Sequence, residues 1–183
     1  MSLTKTIFRQ KCLNKLKINA NRNKYYKDML LNKNLMRELG SLKNKKILFY
    51  YPLKDEANIL KSLYKLRRKN DIYLPFMEGK SFKMVLFRLP LKKKKFGIFE
   101  TGNSIRKIKK IDIAIVPIIG IDGDFKRVGF GKGMYDRFFE KLNKKPYTIF
   151  IQSTLCHTTQ HICDSFDVSC DVVITPNIVK KGK

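Results

Sequence analysis

Between Ile111 and Ile121 the chain reads IDIAIVPIIGI, an apolar run broken only by Asp112, Pro117 and Gly120. A strand with so little polar alternation must be covered on both faces, and the sheets that bury strands this way are mainly parallel, with helices above and below. The run is far short of the roughly 20 apolar residues of a membrane-crossing helix. Ile111 to Pro117 is therefore expected as a central strand of an α/β sheet. Leu3, Ile7, Phe8, Cys12, Leu13 and Leu16 recur at helical spacing, which predicts a helix over 3–18 with Ser2 as its cap. A second helix is predicted over 23–39, stopping at Gly40. Lys46 to Tyr51, Asp55 to Lys69 and Asp71 to Pro75 then read as strand, helix and strand, a βαβ unit. Further strands are expected at 82–88, 147–151 and 172–175, with a short helix over 155–163 and a loop at Lys92 to Lys95. The expected architecture is a single domain over 1–183, a three-layer α/β/α sandwich with a mostly parallel central sheet.

The charge narrows the partners. Forty Lys and Arg against 15 Asp and Glu give a net charge of +25, which points to polyanions. The excess is not clustered: 13 basic groups face 2 acidic ones over 1–50, 17 face 5 over 51–110, and 10 face 8 over 111–183. Lysine supplies 31 of the 40 positive charges, whereas bidentate phosphate and base recognition is arginine's work. The reading is a basic surface around an anionic small-molecule site, with no nucleic acid as partner; a basic nucleic-acid-binding protein on the same fold is the alternative. The N-terminal MSLTKTIFRQK has no apolar stretch leading to a cleavage site, so a cytoplasmic protein is expected; a monomer is a separate expectation that no motif carries. Four cysteines are too sparse for a disulfide scaffold and are read as buried thiols. Cys156, His157, His161 and Cys163 are zinc-type ligands, but their spacing fits neither CxxC pairs nor a finger.

The chemistry concentrates between Val116 and Phe139. A buried strand ends at Pro117, a turn passes through Asp122, Gly123 and Asp124, and Arg127-Val-Gly129-Phe130-Gly131-Lys132-Gly133 leads into a helix near Met134. Glycines at alternate positions let backbone curve around an anion where a Cβ would clash. Arg127 and Lys132 bring positive charge to that anion, and the helix start adds its dipole. Asp136, in the first helical turn, is placed to hold magnesium beside phosphates. The loop is neither a Walker loop nor GxGxxG.

The stretch from Val116 to Arg137 resembles the signature of the 5-formyltetrahydrofolate cyclo-ligase family, whose usual form is close to PGLAFDxxGxRLGxGxGYYDR. Further segments carry the resemblance. Lys5 and Arg9 stand in the KxxxR pattern of the family's first helix, Tyr51-Pro-Leu-Lys-Asp-Glu56 resembles its folate-closing segment, and Phe96-Gly-Ile-Phe-Glu100 resembles FGIPEP. Asp167-Val-Ser-Cys-Asp171-Val-Val-Ile-Thr175 resembles DxxVDxVVTE. Four positions depart: Ile118 and Phe125 stand for Gly, Met134 for Tyr, and Thr101 for Pro. Met134 alone falls in the implied site, where a thioether is expected to repack against pterin or adenine without loss of activity.

The resemblance implies conversion of 5-formyltetrahydrofolate, free or polyglutamylated, to 5,10-methenyltetrahydrofolate, with ATP and Mg2+ and through phosphorylation of the formyl oxygen. It implies ATP contacts from Lys5, Arg9, Arg127, Gly129, Gly131, Lys132, Gly133, Met134 and Tyr135, with Arg127 and Lys132 as the catalytic cations. Folate contacts are implied for Tyr51, Glu56, Phe130 and Met134, and metal contacts for Asp136 and Asp171. Asp171 reads equally as a cap at a strand start, and Glu56 as the first-turn acid of a helix. A related ATP-dependent enzyme with another substrate is a further reading, because the phosphate cradle is better specified than the folate pocket.

Overall fold

The computed structural model describes residues 3–19, 22–93, 99–103, 108 and 110–182. Its centre is a seven-stranded sheet in the order β11-β10-β9-β6-β1-β2-β3. These are β1 (Lys46–Leu48), β2 (Asp71–Glu78), β3 (Ser81–Leu86), β6 (Ile113–Pro117), β9 (Tyr147–Ile151), β10 (Val172–Ile174) and β11 (Val179–Lys181). The neighbours from β10 to β2 run parallel, and β3 and β11 pair antiparallel at the two edges. Two small antiparallel pairs stand apart, β4 (Lys92–Lys93) with β5 (Phe99–Glu100) and β7 (Gly120–Ile121) with β8 (Arg127–Val128).

The central apolar run serves both faces of the sheet. Ile113 and Ile115 pack with Ile47, Ile149 and Ile151 under Leu31, Leu35 and Leu39 of α2 (Lys24–Leu39) and Leu63 and Leu66 of α3 (Leu60–Leu66). Ala114 and Val116 join Leu48, Phe150 and Val173 on the other face, beneath Phe138 of α4 (Met134–Glu140). Alternate side chains of one strand thus point into two cores, which is why its polar alternation disappears. The Phe138 ring stacks on Phe82 of β3 at 4.3 Å, an aromatic contact of about 0.5–1.5 kcal/mol that anchors the short helix to the sheet. Helix α1 (Lys5–Asn19) lies apart from both cores, with Phe8 and Cys12 buried against Ile119, Val128 and Cys156. Asn32 of α2 is almost fully buried and satisfied. It donates to Asp28 O and Asn58 O at 2.7 Å and accepts from Ser62 N and Oγ, tying α2 to the start of α3.

Several sequence expectations change. The helix expected over 155–163 is replaced by extended chain beside β7: Ile121 N donates to Cys156 O at 3.0 Å, Thr158 N to Ile121 O at 3.1 Å and Gly123 N to Gln160 O at 3.0 Å. Those backbone groups are committed across the chain and cannot close helical turns. The helix expected from Asp55 begins only at Leu60, because Glu56 turns back to accept from Leu53 N and Asn58 Oδ1 accepts from Leu60 N. Gly40 remains right-handed (φ −65°) instead of forming a left-handed stop. Thr4, whose hydroxyl accepts from Ile7 N at 3.3 Å, caps α1; the expected cap Ser2 lies outside the described residues. The Lys92–Lys95 loop gives way at its first half to β4, and Lys94 and Lys95 are outside the described residues, as are Phe96, Gly97 and Ile98 of the FGIFE segment.

Cys12 and Cys156 form a disulfide across 144 residues, which corrects the reading of four free thiols. Sparse cysteines say nothing of which two the fold brings together, and here α1 lands on the segment after β9. Cys163 and Cys170 are free, their thiols pushed up to about 12 by burial.

The strand order also places a reversal. From β1 the chain moves outward to β2 and β3, then returns to β6 on the other side of β1 and moves outward the opposite way. In open parallel sheets, the carboxyl ends beside such a switch point diverge and leave a crevice.

Candidate active site

The two strands at the switch point send their following loops to the same end of the sheet. The loop after β1 carries Leu53 and Glu56; the chain after β6 forms the β7–β8 pair, then the glycine segment, then α4. Between them opens a cleft of about 1230 Å³. That exceeds the roughly 300–1,000 Å³ of a pocket for one drug-sized ligand and leaves room for two sizeable ligands. Helix α1 contributes Lys5 and Arg9 to its lining, the β2–β3 hairpin Met77 and Lys80, and the chain before β10 Asp164, Phe166 and Asp167.

The glycine segment has its composition for local reasons. Gly131 holds φ 89°, in the left-handed region where a side chain is strained. At Gly129 a Cβ would stand 2.6 Å from the Arg127 guanidinium, which is buried and cannot yield freely. Arg9 Nε donates to Gly129 O at 2.7 Å, so α1 grips the segment from outside. Arg137 grips it from α4: its guanidinium donates to Lys132 O and, through Nε at 2.8 Å, to Lys80 O, joining the glycine segment to the β2–β3 turn. Lys132 and Phe130 lie on exposed backbone at the rim.

Arg127 is the electrostatic centre. Only 8% exposed, it sits 3.6 Å from Asp136 Oδ2, donates from Nε to Pro117 O at 3.4 Å, and lies 4.8 Å over the Tyr135 ring. Burial lowers its pKa, and the charge of Asp136 opposes that first among its neighbours. Burial raises the pKa of the Glu56 carboxyl, against the Leu53 N–H and the charge of Arg127. Burial likewise raises the Tyr135 hydroxyl, with Glu56 adding to it. A second pair faces the cleft: Lys5 Nζ bonds Asp167 and lies 3.5 Å from Asp164.

The structure gathers most of the residues singled out from the sequence. Lys5, Arg9, Glu56, Arg127, Gly129, Phe130, Gly131, Lys132, Gly133, Met134, Tyr135 and Asp136 all line the cleft. Two do not. Asp171 is engaged elsewhere, its carboxylate accepting from Thr148 N at 2.6 Å at the start of β9, which is the strand-capping alternative. Tyr51 packs on Phe99 at 5.2 Å and is absent from the described cleft lining. Cys156, His157, His161 and Cys163 are dispersed: Cys156 is in the disulfide, His157 bridges to Ile121, His161 pairs with Asp124 at 2.9 Å, and Cys163 Sγ meets Arg127 O at 3.6 Å.

Asp164, Asp167, Lys80 and Arg137 were missed as contributors. Asp167 had a signal, as the first residue of the C-terminal DVSCD segment, but nothing in the sequence paired it with Lys5. Phe125, standing for a Gly in the resemblance, adopts φ 58° and lies under Lys180 at 5.1 Å, so this chain keeps the left-handed turn without the glycine.

Among the described residues no three metal-ligating side chains come together. The cleft offers one well-placed carboxylate, Asp136, whose Oδ1 accepts from Val168 N at 3.3 Å. One carboxylate fits a hard cation that arrives on phosphate oxygens, the usual way magnesium is bound in nucleotide sites.

The arrangement is a cationic, partly apolar cleft. The sequence model of the 5-formyltetrahydrofolate cyclo-ligase family matches residues 2–176. The chain is 26% identical over 130 residues to 5-formyltetrahydrofolate cyclo-ligase of Mycoplasma pneumoniae, covering 71% of this chain and 72% of that protein. It is 27% identical over 114 residues to the protein of the same name from Haemophilus influenzae, covering 56% and 60%. Among solved structures, the Aquifex aeolicus 5,10-methenyltetrahydrofolate synthetase superposes with a TM-score of 0.77 at 24% identity, over 98% of this chain and 93% of that one. A 5,10-methenyltetrahydrofolate synthetase from Mycoplasma pneumoniae gives 0.70 at 21% identity, over 95% and 99%. Both share the α/β fold described above.

Proposed function

The chain belongs to the 5-formyltetrahydrofolate cyclo-ligase family, and from that premise we propose that its cleft converts 5-formyltetrahydrofolate and ATP to 5,10-methenyltetrahydrofolate, ADP and phosphate. The observation that carries this reading is that Lys5, Arg9, Arg127 and Lys132 line one cleft with the glycine segment at the switch point, a cleft large enough for two ligands.

A formamide is a poor electrophile. Transfer of the γ-phosphoryl group to the formyl oxygen breaks the bond to ADP and leaves an iminium carbon that the nitrogen at position 10 attacks. That attack closes the ring, and departure of phosphate, carrying the former formyl oxygen, with loss of the proton from the nitrogen at position 10, leaves the methenyl bridge. No protein nucleophile is needed; the protein positions the reactants and stabilises charge. Arg127 and Lys132 act on the transferred group, with Lys5 and Arg9 on the rest of the triphosphate. The buried Arg127 is already held in place by Asp136, Pro117 O and the Tyr135 ring, so little reorganisation accompanies the reaction. Asp136 is the residue that would hold magnesium, which when bound would neutralise phosphate charge. Glu56, Phe130 and Met134 receive the folate, and the basic surface draws both anionic substrates inward.

The Lys-heavy surface is assigned to that steering, without nucleic acid as partner, and the protein to the cytoplasm as a monomer. No helix among the described residues is long and apolar enough to cross a membrane. The test is absorbance of the methenyl product with purified protein, 5-formyltetrahydrofolate and MgATP, omitting ATP or magnesium in parallel. A rise that requires both is expected. A flat trace from folded, ATP-binding protein would overturn the assignment of this substrate.

A further inference from the structure

Glu56 reaches the cleft from the loop between β1 and α3, which runs as neither strand nor helix from Phe49 to Ile59. Without a ladder of its own, such a loop holds a side chain in one place only if neighbouring groups bind its backbone. Helix α2 supplies them. Lys24, Asp28 and Asn32 recur every four residues and therefore share one face of the helix. Lys24 Nζ donates to Lys54 O at 3.3 Å and to Glu56 O at 3.2 Å. Asn58 N donates to Asp28 Oδ1 at 3.0 Å, and Asn32 Nδ2 donates to Asn58 O at 2.7 Å. The stripe thus follows the loop backbone from Lys54 to Asn58, one helical turn at a time. Two further bonds close the loop on itself: Tyr50 OH donates to Ala57 O at 2.8 Å, and Leu53 N donates to Glu56 Oε2 at 2.9 Å.

We infer that Asp28 is a positioning residue which, through the backbone of Asn58, fixes the loop that presents Glu56 to the folate. The inference rests on reading Glu56 as a folate contact. Asn58 is the joint between the loop and the helix that follows, since its own Oδ1 accepts from Leu60 N at 3.1 Å as α3 begins. Fixing that joint fixes the direction in which the preceding residues leave α3. Glu56 stands only two residues before it, with the buried Ala57 between them. Asp28 itself lies outside the described cleft lining, so it acts on the substrate only through the loop.

Positioning and simple electrostatics differ in the sign of their effect on folate. Removing the negative charge of Asp28 would leave binding of an anionic folate equal or tighter if charge alone mattered. If Asp28 holds the loop, its truncation to Ala frees Asn58 N and weakens folate binding by about fivefold, the worth of one hydrogen bond. Asp28→Asn separates the two effects, because the amide has no charge but keeps an oxygen that accepts from Asn58 N. Binding of MgATP is the internal control, since the glycine segment and its cations are held by other bonds, such as Arg9 Nε to Gly129 O at 2.7 Å.

The experiment is calorimetric titration of 5-formyltetrahydrofolate, and separately of MgATP, into the wild-type chain, Asp28→Ala, Asp28→Asn, Glu56→Gln and the double variant Asp28→Ala with Glu56→Gln. Melting curves verify folding. The expected result is a folate Kd raised about fivefold in Asp28→Ala, restored in Asp28→Asn, with the Kd for MgATP unchanged in both. The double variant should bind folate no more weakly than Glu56→Gln alone, because Asp28 acts through Glu56. Unchanged or tighter folate binding in Asp28→Ala, equal weakening in Asp28→Asn, a parallel loss of MgATP binding, or losses that multiply in the double variant would overturn the inference. Should Asp28→Ala fail to fold, Lys24→Met removes the neighbouring clamp on the Glu56 carbonyl, and Lys33→Met, on an exposed position of the same helix, controls for lost charge. Weaker folate binding in Lys24→Met alone is expected, and equal affinities in the two would overturn the inference. Wild-type protein that binds folate without turnover would sink the proposed reaction and leave this inference standing, whereas wild-type protein that binds MgATP but no folate sinks both.

Discussion

Replacing Arg127 with lysine keeps a positive charge and removes the planar fork. The guanidinium spans 3.6 Å to Asp136 Oδ2 and 3.4 Å to Pro117 O while lying 4.8 Å over the Tyr135 ring. A lysine ammonium is a strongly hydrated point charge that can meet only part of this set, and a site that is 8% exposed desolvates it severely. Removing one preorganised charge-stabilising donor costs about 2.7–4 kcal/mol in the transition state, or roughly 10²–10³ in kcat. Because lysine retains some of the charge, the expected loss is about 10–100-fold in kcat, with a smaller change in KM for ATP. Burial already lowers the pKa of the arginine, which starts high enough to stay charged. Lysine starts near about 10.4, and the same burial acts on it. The variant should therefore lose further activity as pH rises above neutrality, while the wild type does not. Steady-state turnover of 5-formyltetrahydrofolate with varied ATP across pH 6–9 measures both effects, and melting curves check the fold. Alanine is the poorer choice, since it leaves the nearly buried Asp136 without its partner at a cost of about 3–5 kcal/mol. Wild-type kcat and an unchanged pH profile in Arg127→Lys would refute the reasoning and reduce Arg127 to a structural counter-ion.

Asp136→Asn should lower turnover by about 10²-fold or more and shift the magnesium dependence to higher concentration; a wild-type rate at low magnesium would remove Asp136 from metal binding. Glu56→Gln should raise the melting temperature at pH 7 while weakening folate binding. Burial holds the Glu56 pKa above its unfolded value, so the folded state binds that proton more tightly and stability falls as pH rises through the carboxylate range. The gap between variant and wild type should close below about pH 4, where both states are protonated; a gap constant with pH would refute this. Reducing the Cys12–Cys156 disulfide, which spans 144 residues, relieves the unfolded chain of a constraint worth at most about 5 kcal/mol in the chain-entropy account. The melting temperature should fall by up to about 10–15 °C and KM for ATP should rise, since α1 carries Lys5 and Arg9. Identical melting curves with and without dithiothreitol would count against a stabilising bridge.

What was legible in the sequence is what neighbouring residues encode. The unbroken apolar character of Ile113 to Val116 is a local property that requires cover on both faces, and the glycine segment is a local property of backbone that must pass a buried guanidinium. The illegible part depends on which distant segments meet. The expected helix over 155–163 had acceptable local spacing, but its backbone groups were claimed by β7, some 35 residues earlier, in bonds such as Thr158 N to Ile121 O. Lys5 and Asp167, and Cys12 and Cys156, are joined only because α1 folds back on the C-terminal third of the chain. Phe125 shows how the two levels interact. Its φ of 58° is the backbone a glycine would adopt freely, and keeping it with an aromatic ring carries a strain of roughly 1–3 kcal/mol. The turn persists because its surroundings fix it: Phe125 N donates to Asp122 O and Cys170 N to Phe125 O, while the buried Asp122 carboxylate accepts from Asp124 N, Lys126 N and Cys163 N. Those bonds hold the β7–β8 pair that delivers Arg127 to the cleft. Conformation at the site is therefore set by the hydrogen-bond frame around it, and a departure from the expected residue type is tolerated where that frame is complete.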